Sequence, residues 1–314
     1  MGVSTLLQLL GDPIQTYELF AQDLPSHSLG FIDPKATTLD LTIGGVDLTI
    51  HQSPGVLSSN RAGGTTGAVW KITPLFAEWI SSPDHNPLFA HGLLDSSSFV
   101  IELGTGISAL VGLLLGRRVG HCVLTDQLYV AKLVEQNVAE NTTESWTGSS
   151  SGRSSSTVAK AKRVKGKHAG AEPKRRAGNV HFTPLDWETD TPTPELTLSD
   201  SVKSFDCVVA CDCIYNEALI DPFVSTCADV CRLREQARAE AEASPGSPEP
   251  CVCIVAQQLR DPDIFEAWLT RFTESFYAWR VPDSMLIEGL RSKSGFVVHL
   301  GVLKGVGFDS EPSQ

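Results

Sequence analysis

Short apolar runs alternate with segments of helical periodicity through most of this 314-residue chain. Two runs on either side of Gly44-Gly45 predict a β-hairpin, because glycines tolerate the backbone of a tight turn. Beyond the hairpin, strands alternate with helices, which is typical of a parallel, doubly wound sheet. The predicted strands are 98–103, 121–125, 179–184, 205–211, 251–257, 276–281 and 295–303, and the predicted helices are 69–81, 108–117, 128–140, 217–237 and 261–275.

The last two predicted strands follow each other without a helix between them, so one of them is expected to run antiparallel. The pattern therefore predicts an α/β fold with a doubly wound, seven-stranded, mostly parallel, Rossmann-like sheet. An antiparallel terminal strand completes this sheet, and the N-terminal β-hairpin precedes it. We divide the chain into an N-terminal segment (1–36), one sheet domain (37–304) and a flexible tail (305–314).

Two segments of the sheet domain interrupt the alternation and are interpreted as insertions. Residues 142–178 are rich in Ser, Gly and Lys without an apolar face, which is typical of disorder. They carry nine basic and two acidic residues, a net charge of +7. The whole chain carries −12, so the rest of it carries −19. A shorter insertion is expected at 238–250. The acidic body favours basic partners, and only the basic insertion suits a nucleic acid.

The composition is that of a globular protein with a sizeable core, since 41% of the residues are hydrophobic and 20% are charged. No apolar run is long enough to span a bilayer, and residues 1–18 lack the basic flank and cleavage site of a secretory signal. We expect a cytoplasmic monomer, with the nucleus as a second compartment. The eight cysteines lack Cys-x-x-Cys spacing, so we interpret them as reduced core residues and expect no metal site.

The candidate chemistry begins at 99–110, where an apolar run reaches Glu102 and turns through Gly104-Thr105-Gly106 into a helical segment. Glycines in this turn permit positive φ and let a ligand approach the backbone. In an open α/β sheet such a turn lies where nucleotide-like ligands bind. A dinucleotide-binding loop and a purely structural strand–helix turn fit the same residues.

Two further strand ends carry candidate ligand-binding residues. Asp126 ends the next strand about 20 residues after the glycines, where a carboxylate accepts the hydroxyls of a ribose. The alternative for Asp126 is a cap of the following helix. Leu185-Asp186-Trp187 follows the third strand and offers an adenine both a flat apolar face and a hydrogen bond. Trp70 offers a second wall, although each tryptophan equally suits the core.

The fourth strand ends in Ala210-Cys-Asp-Cys-Ile-Tyr215. Together with Thr66–Trp70, Glu102–Ser108, Thr125-Asp126 and Leu185–Trp187, this motif resembles the class I, seven-β-strand, S-adenosylmethionine-dependent protein-lysine methyltransferases. Within them it is similar to the methyltransferase-like 21 group and the fungal ribosomal lysine methyltransferases. The resemblance covers roughly 37–141 and 179–304. The most specific part of the resemblance is the Asp-x-x-Tyr motif at Asp212–Tyr215. The sequence departs from the family pattern at Ser108, where many methyltransferases have a third glycine.

The resemblance implies a site with a cofactor half and a substrate half. In the first, Glu102 and the glycine turn would hold the methionine end of S-adenosylmethionine, and Asp126 would bind its ribose. In the second, Asp212 would attract the substrate ammonium and Tyr215 would orient the amine, although helix capping and packing are the structural alternatives. The expected cofactor-binding residues are Trp70, Glu102, Gly104, Thr105, Gly106, Asp126, Asp186, Trp187 and Ala210.

The implied activity is methylation of a protein lysine, first of a ribosomal protein and second of an elongation factor or a chaperone. Two other classes use the same glycine turn. An NAD-linked oxidoreductase would need a catalytic His or a Tyr-x-x-x-Lys motif, and the sequence places neither at a strand end. A catalytically silent, methyltransferase-like binding protein would keep the fold alone, and the intact cofactor motifs argue against it.

Overall fold

The computed structural model describes residues 2–10, 30–57, 67–142, 178–241 and 248–305. Apart from its two end residues, the basic insertion lies outside these ranges, as do most of the N-terminal segment and most of the tail. Within the described part of the chain, no helix has the length and apolar character needed to cross a membrane.

Nine strands and eight α-helices form the described part of the protein. The strands are β1 Thr38–Ile43, β2 Val46–His51, β3 Phe99–Leu103, β4 His121–Asp126, β5 Val180–Pro184, β6 Cys207–Cys211, β7 Val252–Gln258, β8 Phe276–Arg280 and β9 Phe296–Leu303. The helices are α1 Val3–Leu10, α2 Pro54–Leu57, α3 Ile72–Ile80, α4 Pro87–Ala90, α5 Leu110–Leu115, α6 Ala131–Thr142, α7 Ile220–Ala241 and α8 Pro262–Ser275.

The main sheet has seven strands in the order β5-β4-β3-β6-β7-β9-β8. All neighbours are parallel except that β9 runs antiparallel to both β7 and β8. The predicted doubly wound sheet is therefore confirmed, and its antiparallel strand is the last in the chain, inserted one place from the edge. The predicted hairpin is also confirmed, because β1 and β2 form a separate antiparallel pair.

Helices pack on the sheet in two separate sets. Helix α3 contacts α5, β6 and β7, whereas α7 contacts α8 together with the same two strands. Because these strands are buried along nearly their whole length, their side chains supply the core between the layers. The predicted core cysteines fit this picture, since all eight are free and only Cys211 is not fully buried.

Several predicted boundaries differ from the observed ones, and two of the differences have a clear local reason. Helix α3 begins at Ile72 and not at residue 69, because Trp70 first pairs with Phe31 in an isolated β-bridge. Helix α5 begins only after Ala109, whose φ of 56° is left-handed and cannot belong to an α-helix. Helix α7 continues to Ala241, past its predicted end at residue 237, and residues 242–247 of the predicted insertion lie outside the described residues.

Two asparagines on one face of α6 attach the hairpin to the main domain. The side chain of Asn137 accepts a hydrogen bond from the His51 backbone N–H (2.7 Å) and donates to its carbonyl (3.0 Å). Asn141 makes the same pair of bonds with Thr49, at 2.9 Å each. The spacing matches, because helical residues four apart share a face and strand residues two apart share an edge. Asn137 also donates to the Ile107 carbonyl (2.7 Å), which joins the hairpin to the glycine turn.

We expect Asn137→Ala to destabilise the protein by about 1–3 kcal/mol, because it leaves buried backbone groups of His51 and Ile107 without their partner. Urea unfolding measures this change. Gln136→Ala is the matched control, since Gln136 is exposed on the same helix. Equal free energies of unfolding for the two variants would contradict the anchoring role of Asn137.

Candidate active site

A cavity of about 510 Å³ opens at the carboxyl ends of β3, β4, β5 and β6. This volume lies within the range of small-molecule sites, and its place in the sheet is where open α/β folds bind ligands. Of the eleven residues that the sequence proposed for the site, all but Ala210 line this cavity: Trp70, Glu102, Gly104, Thr105, Gly106, Asp126, Asp186, Trp187, Asp212 and Tyr215. Ala210 is buried in β6, next to Cys211, which does line the cavity.

The turn after β3 depends on the absence of a side chain at Gly104. Gly104 and Gly106 have φ values of 68° and 62°, so both occupy the left-handed region. A Cβ at Gly104 would lie 2.7 Å from Cys213 Sγ and 3.1 Å from the Trp187 ring. The turn is held further by a hydrogen bond from the Thr105 N–H to the Thr125 carbonyl (3.0 Å). The backbone therefore forms the floor of the cavity.

Asp126 faces this turn from the end of β4. Its Oδ2 accepts a hydrogen bond from the Gly106 N–H (2.8 Å), and its Oδ1 accepts one from the Gln127 N–H (2.7 Å). The cap position of the next helical turn belongs to Gln127, so the capping alternative for Asp126 is not observed. Burial raises the pKa of Asp126 to about 6, and the two backbone hydrogen bonds only partly oppose this shift.

Glu102 is an ionisable group buried beside the turn with an unused acceptor. Its side chain lines the cavity, and its Oε2 has no hydrogen-bond partner among the described residues. Burial raises the pKa of Glu102 to about 8, because its effect is larger than the opposing effects of the hydrogen bonds from Thr105 and Gly112. A buried acceptor without a partner is costly. A positively charged ligand group in the cavity would favour the ionised form of Glu102 and give its Oε2 a hydrogen-bond donor.

Two indoles border the cavity. Trp70 is half-buried and packs against Phe31, with 3.9 Å between the ring centroids. Trp187 is also half-buried and packs against Phe223 at 5.1 Å, and its Nε1 has no partner among the described residues. The side chain of Asp186 stabilises the turn that follows it, because its Oδ1 accepts a hydrogen bond from the Glu188 N–H (3.0 Å). These walls suit a flat, partly polar ring system.

Asp212 is held in place by residues from the end of β7. Its φ is 58°, and its backbone N–H donates to the Ala256 carbonyl (2.7 Å). Its Oδ1 accepts from the Gln258 N–H (3.2 Å), and its Oδ2 accepts from Gln258 Nε2 (2.6 Å) and from Arg260. The guanidinium of Arg260 in turn lies 4.1 Å from the centre of the Trp70 ring. Burial raises the pKa of Asp212, and Arg260 opposes that shift.

Comparison with known proteins gives the family. A model described as lysine methyltransferase matches residues 168–239. Ribosomal lysine N-methyltransferase 5 of Zygosaccharomyces rouxii is 32% identical over 242 residues, which are 72% of this chain and 70% of that protein. The chain belongs to the lysine methyltransferase family. The predicted family is thereby confirmed.

Two other similar proteins extend the comparison of this lysine methyltransferase. A protein of Schizosaccharomyces pombe named diaminohydroxyphosphoribosylamino-pyrimidine deaminase is 29% identical over 83% of this chain, which spans about half of that protein's length. The N-methyltransferase NodS of Bradyrhizobium japonicum, solved with S-adenosyl-L-homocysteine, covers 71% of this chain with a TM-score of 0.36 and 10% identity. Neither decides the substrate.

The lysine methyltransferase family uses S-adenosylmethionine, and the cavity fits that molecule chemically. The unpartnered Oε2 of Glu102 matches the cofactor's ammonium, and the Asp126 carboxylate can accept hydrogen bonds from a ribose. At Gly106 a Cβ would meet nothing within 4 Å, so space lies open above the turn. Among the described residues, no cluster of three His, Cys, Asp or Glu could hold a metal ion.

On the other rim, Tyr215 lines the cavity and Asn216 follows it. The side chain of Asn216 caps the next helical turn by accepting from the Ala218 N–H (3.1 Å). The capping alternative for Asp212 is therefore not observed. The sequence interpretation missed Gln258 and Arg260, although a signal existed. Both are polar residues at the carboxyl end of an apolar strand, where ligand-binding groups gather.

We expect the contribution of Glu102 to the free energy of unfolding to fall as pH rises from 4.5 to about 8, its ordinary and its folded-state pKa. In this window Glu102 binds more protons in the folded state than in the unfolded state, so its contribution to stability decreases with pH. Glu102→Gln removes this contribution and flattens the slope between pH 6 and pH 8 in urea titrations.

The matched control is Glu188→Gln, because Glu188 is exposed at the mouth of the same cavity. This variant should keep the wild-type slope. An unchanged slope in Glu102→Gln would show that Glu102 is ionised in the folded protein across the whole range.

Proposed function

We propose that this chain transfers the methyl group of S-adenosylmethionine to a lysine of a ribosomal protein. The observation that carries the proposal is the composition of one cavity. It combines an unpartnered buried carboxylate oxygen of Glu102 with a rim on which Asp212 and Tyr215 lie together. A cationic group fits beside Glu102, and the amine of a lysine fits at the rim of Asp212 and Tyr215.

The cofactor half is assigned from hydrogen-bonding capacity and shape. Glu102 accepts from the ammonium of the methionine end, and Asp126 accepts from the ribose hydroxyls while holding Gly106. Trp70 and Trp187 wall the cofactor, and Asp186 receives the edge of the adenine. Gly104, Thr105 and Gly106 offer their backbone at the turn after β3, whereas Ala210 lies buried beside the lining residue Cys211 and is assigned no contact.

When bound, S-adenosylmethionine supplies a methyl group on a positively charged sulfur, so the leaving group needs no proton. Held by Glu102 and Asp126, it would supply this methyl group to the lysine nitrogen, and the electron pair of the C–S bond would leave with the sulfur. The lysine must first lose a proton to water. The work left to the protein is to align the amine and to exclude water, which is how positioning lowers a barrier. We assign the alignment to Asp212 and Tyr215.

The substrate class follows from charge and from the relatives. The chain carries −19 outside its basic segment, so its body attracts basic proteins. Ribosomal proteins bind RNA and are typically basic, and the Zygosaccharomyces rouxii relative is named for a ribosomal lysine. A ribosomal substrate would place the reaction in the cytoplasm or the nucleus. An elongation factor or a chaperone is the alternative substrate.

We expect S-adenosylhomocysteine to raise the melting temperature, because a ligand of the native state stabilises by about 2.7 kcal/mol at a hundredfold excess over Kd. Asp126→Asn should weaken this binding by about 1.5–3 kcal/mol, since it removes charge-assisted hydrogen bonds. Asp84→Asn, at an exposed site, is the control and should bind like the wild type. A thermal shift with NAD and none with S-adenosylhomocysteine would refute the cofactor assignment.

The activity itself is tested by incubating the protein with labelled S-adenosylmethionine and a lysate that lacks the endogenous enzyme. We expect label in one ribosomal protein, on a lysine. Asp212→Asn should lower transfer at least about tenfold, which is 1.4 kcal/mol of transition-state stabilisation. Tyr215→Phe should lower it less if the ring orients the amine.

The outcomes separate the alternatives. If the label appears in an elongation factor or a chaperone, that protein is the substrate and the ribosomal assignment is wrong. If no protein is labelled, the chain is a catalytically silent binding protein. If Asp212→Asn and Tyr215→Phe both transfer methyl groups at the wild-type rate and bind the cofactor with wild-type affinity, Asp212 and Tyr215 have only a structural role.

A further inference from the structure

Arg260 contacts two cavity residues without lining the cavity itself. It follows β7 in sequence, and its guanidinium forms an ion pair with Asp212 and lies over the ring of Trp70. The Asp212 side chain is 1% exposed and the Arg260 side chain 27% exposed. Arg260 therefore reaches from the rim toward a buried carboxylate and covers an indole on the way.

The bonds to Asp212 determine what that carboxylate can still do. A carboxylate has about four acceptor positions. Gln258 occupies two of them through its N–H and its Nε2, and Arg260 occupies a third. Roughly one direction remains for a substrate, and the charge of Asp212 is balanced by that of Arg260. The expectation that Asp212 attracts an ammonium as a free anion therefore has to be revised.

This pairing suits methyl transfer to an amine. An unpaired buried carboxylate would hold a lysine in its ammonium form, which has no lone pair for the attack. A carboxylate already neutralised by arginine accepts one N–H and sets its direction without the same preference for the charged form. Arginine is suited to the place because its planar group can bond a carboxylate and lie flat on an indole at once, which lysine cannot.

We propose that Arg260 is a positioning residue for methyl transfer: by bridging Asp212 and Trp70 it fixes the remaining acceptor direction of Asp212 toward the substrate amine. The proposal rests on the proposed function. It assigns Arg260 no contact with the reacting atoms, so its effect must pass through Asp212. It also links the substrate rim to the wall that borders the cofactor.

The test compares Arg260→Gln and Arg260→Lys with Arg271→Gln. Arg271 is the matched control, since it forms an ion pair with Asp221 (2.6 Å) and is 28% exposed, away from the cavity. We expect Arg260→Gln to lower kcat at least about tenfold while its affinity for S-adenosylhomocysteine changes less than about threefold. Arg260→Lys should recover part of kcat, and Arg271→Gln should match the wild type.

A double-mutant cycle checks the route of the effect. In an Asp212→Asn background, Arg260→Gln should lower kcat by less than about twofold, because the effects of residues that act through one another are not additive. If the losses of kcat in the two single variants multiply fully in the double variant, the proposal is overturned. So would equal losses of kcat, cofactor affinity and melting temperature in Arg260→Gln, which indicate a structural role only.

A readout independent of activity is the emission of Trp70, obtained by subtracting the spectrum of the matching Trp70→Phe variant. Removing the guanidinium should change this emission in Arg260→Gln and leave it unchanged in Arg271→Gln. Unchanged emission in both would overturn the bridge. Absence of methyl transfer by the wild type would instead count against the proposed function, so the two failures are distinguishable.

Discussion

The close packing of Cys213 and Trp187 on the backbone of Gly104 is the constraint on which the site depends. A single added carbon at Gly104 would lie 2.7 Å from a sulfur and 3.1 Å from an indole, so no side chain fits. The Cys213 thiol also donates to the Leu103 carbonyl (3.2 Å). The segments that follow β3, β5 and β6 are thereby brought to one point, and the cavity is the space above it.

Charge is distributed unequally between the two halves of this cavity. On the proposed cofactor side, Glu102 and Asp126 are buried with raised pKa values, and Oε2 of Glu102 has no partner among the described residues. On the proposed substrate side, Gln258 and Arg260 occupy three of the roughly four acceptor positions of the Asp212 carboxylate. The first half thus gains most from a cationic ligand, whereas the second is prearranged and offers direction more than charge.

The hairpin and the N-terminal segment belong to the same arrangement. Asn137 joins β2 to the glycine turn, and Gln258 accepts from the Gly30 N–H (2.8 Å) while donating to Asp212. Phe31 covers the Trp70 ring from the same segment. Elements outside the seven-stranded sheet therefore support the glycine turn, the Trp70 wall and, through Gln258, Asp212. Geometry at the site depends on contacts that are distant in sequence.

The layered fold could be predicted from the sequence, as could ten of the 24 residues that line the cavity. Apolar periodicity is local, and the carboxyl ends of parallel strands meet at one edge, so Glu102, Asp126 and Asp212 could be placed together from their positions alone. Three features could be seen only once the chain was folded. Strand β9 inserts between β7 and β8, Arg260 neutralises Asp212 from 48 residues away, and Asn137 bonds His51 across 86 residues. Such pairs leave no periodic trace, because a hydrogen bond between distant segments depends on how whole elements pack.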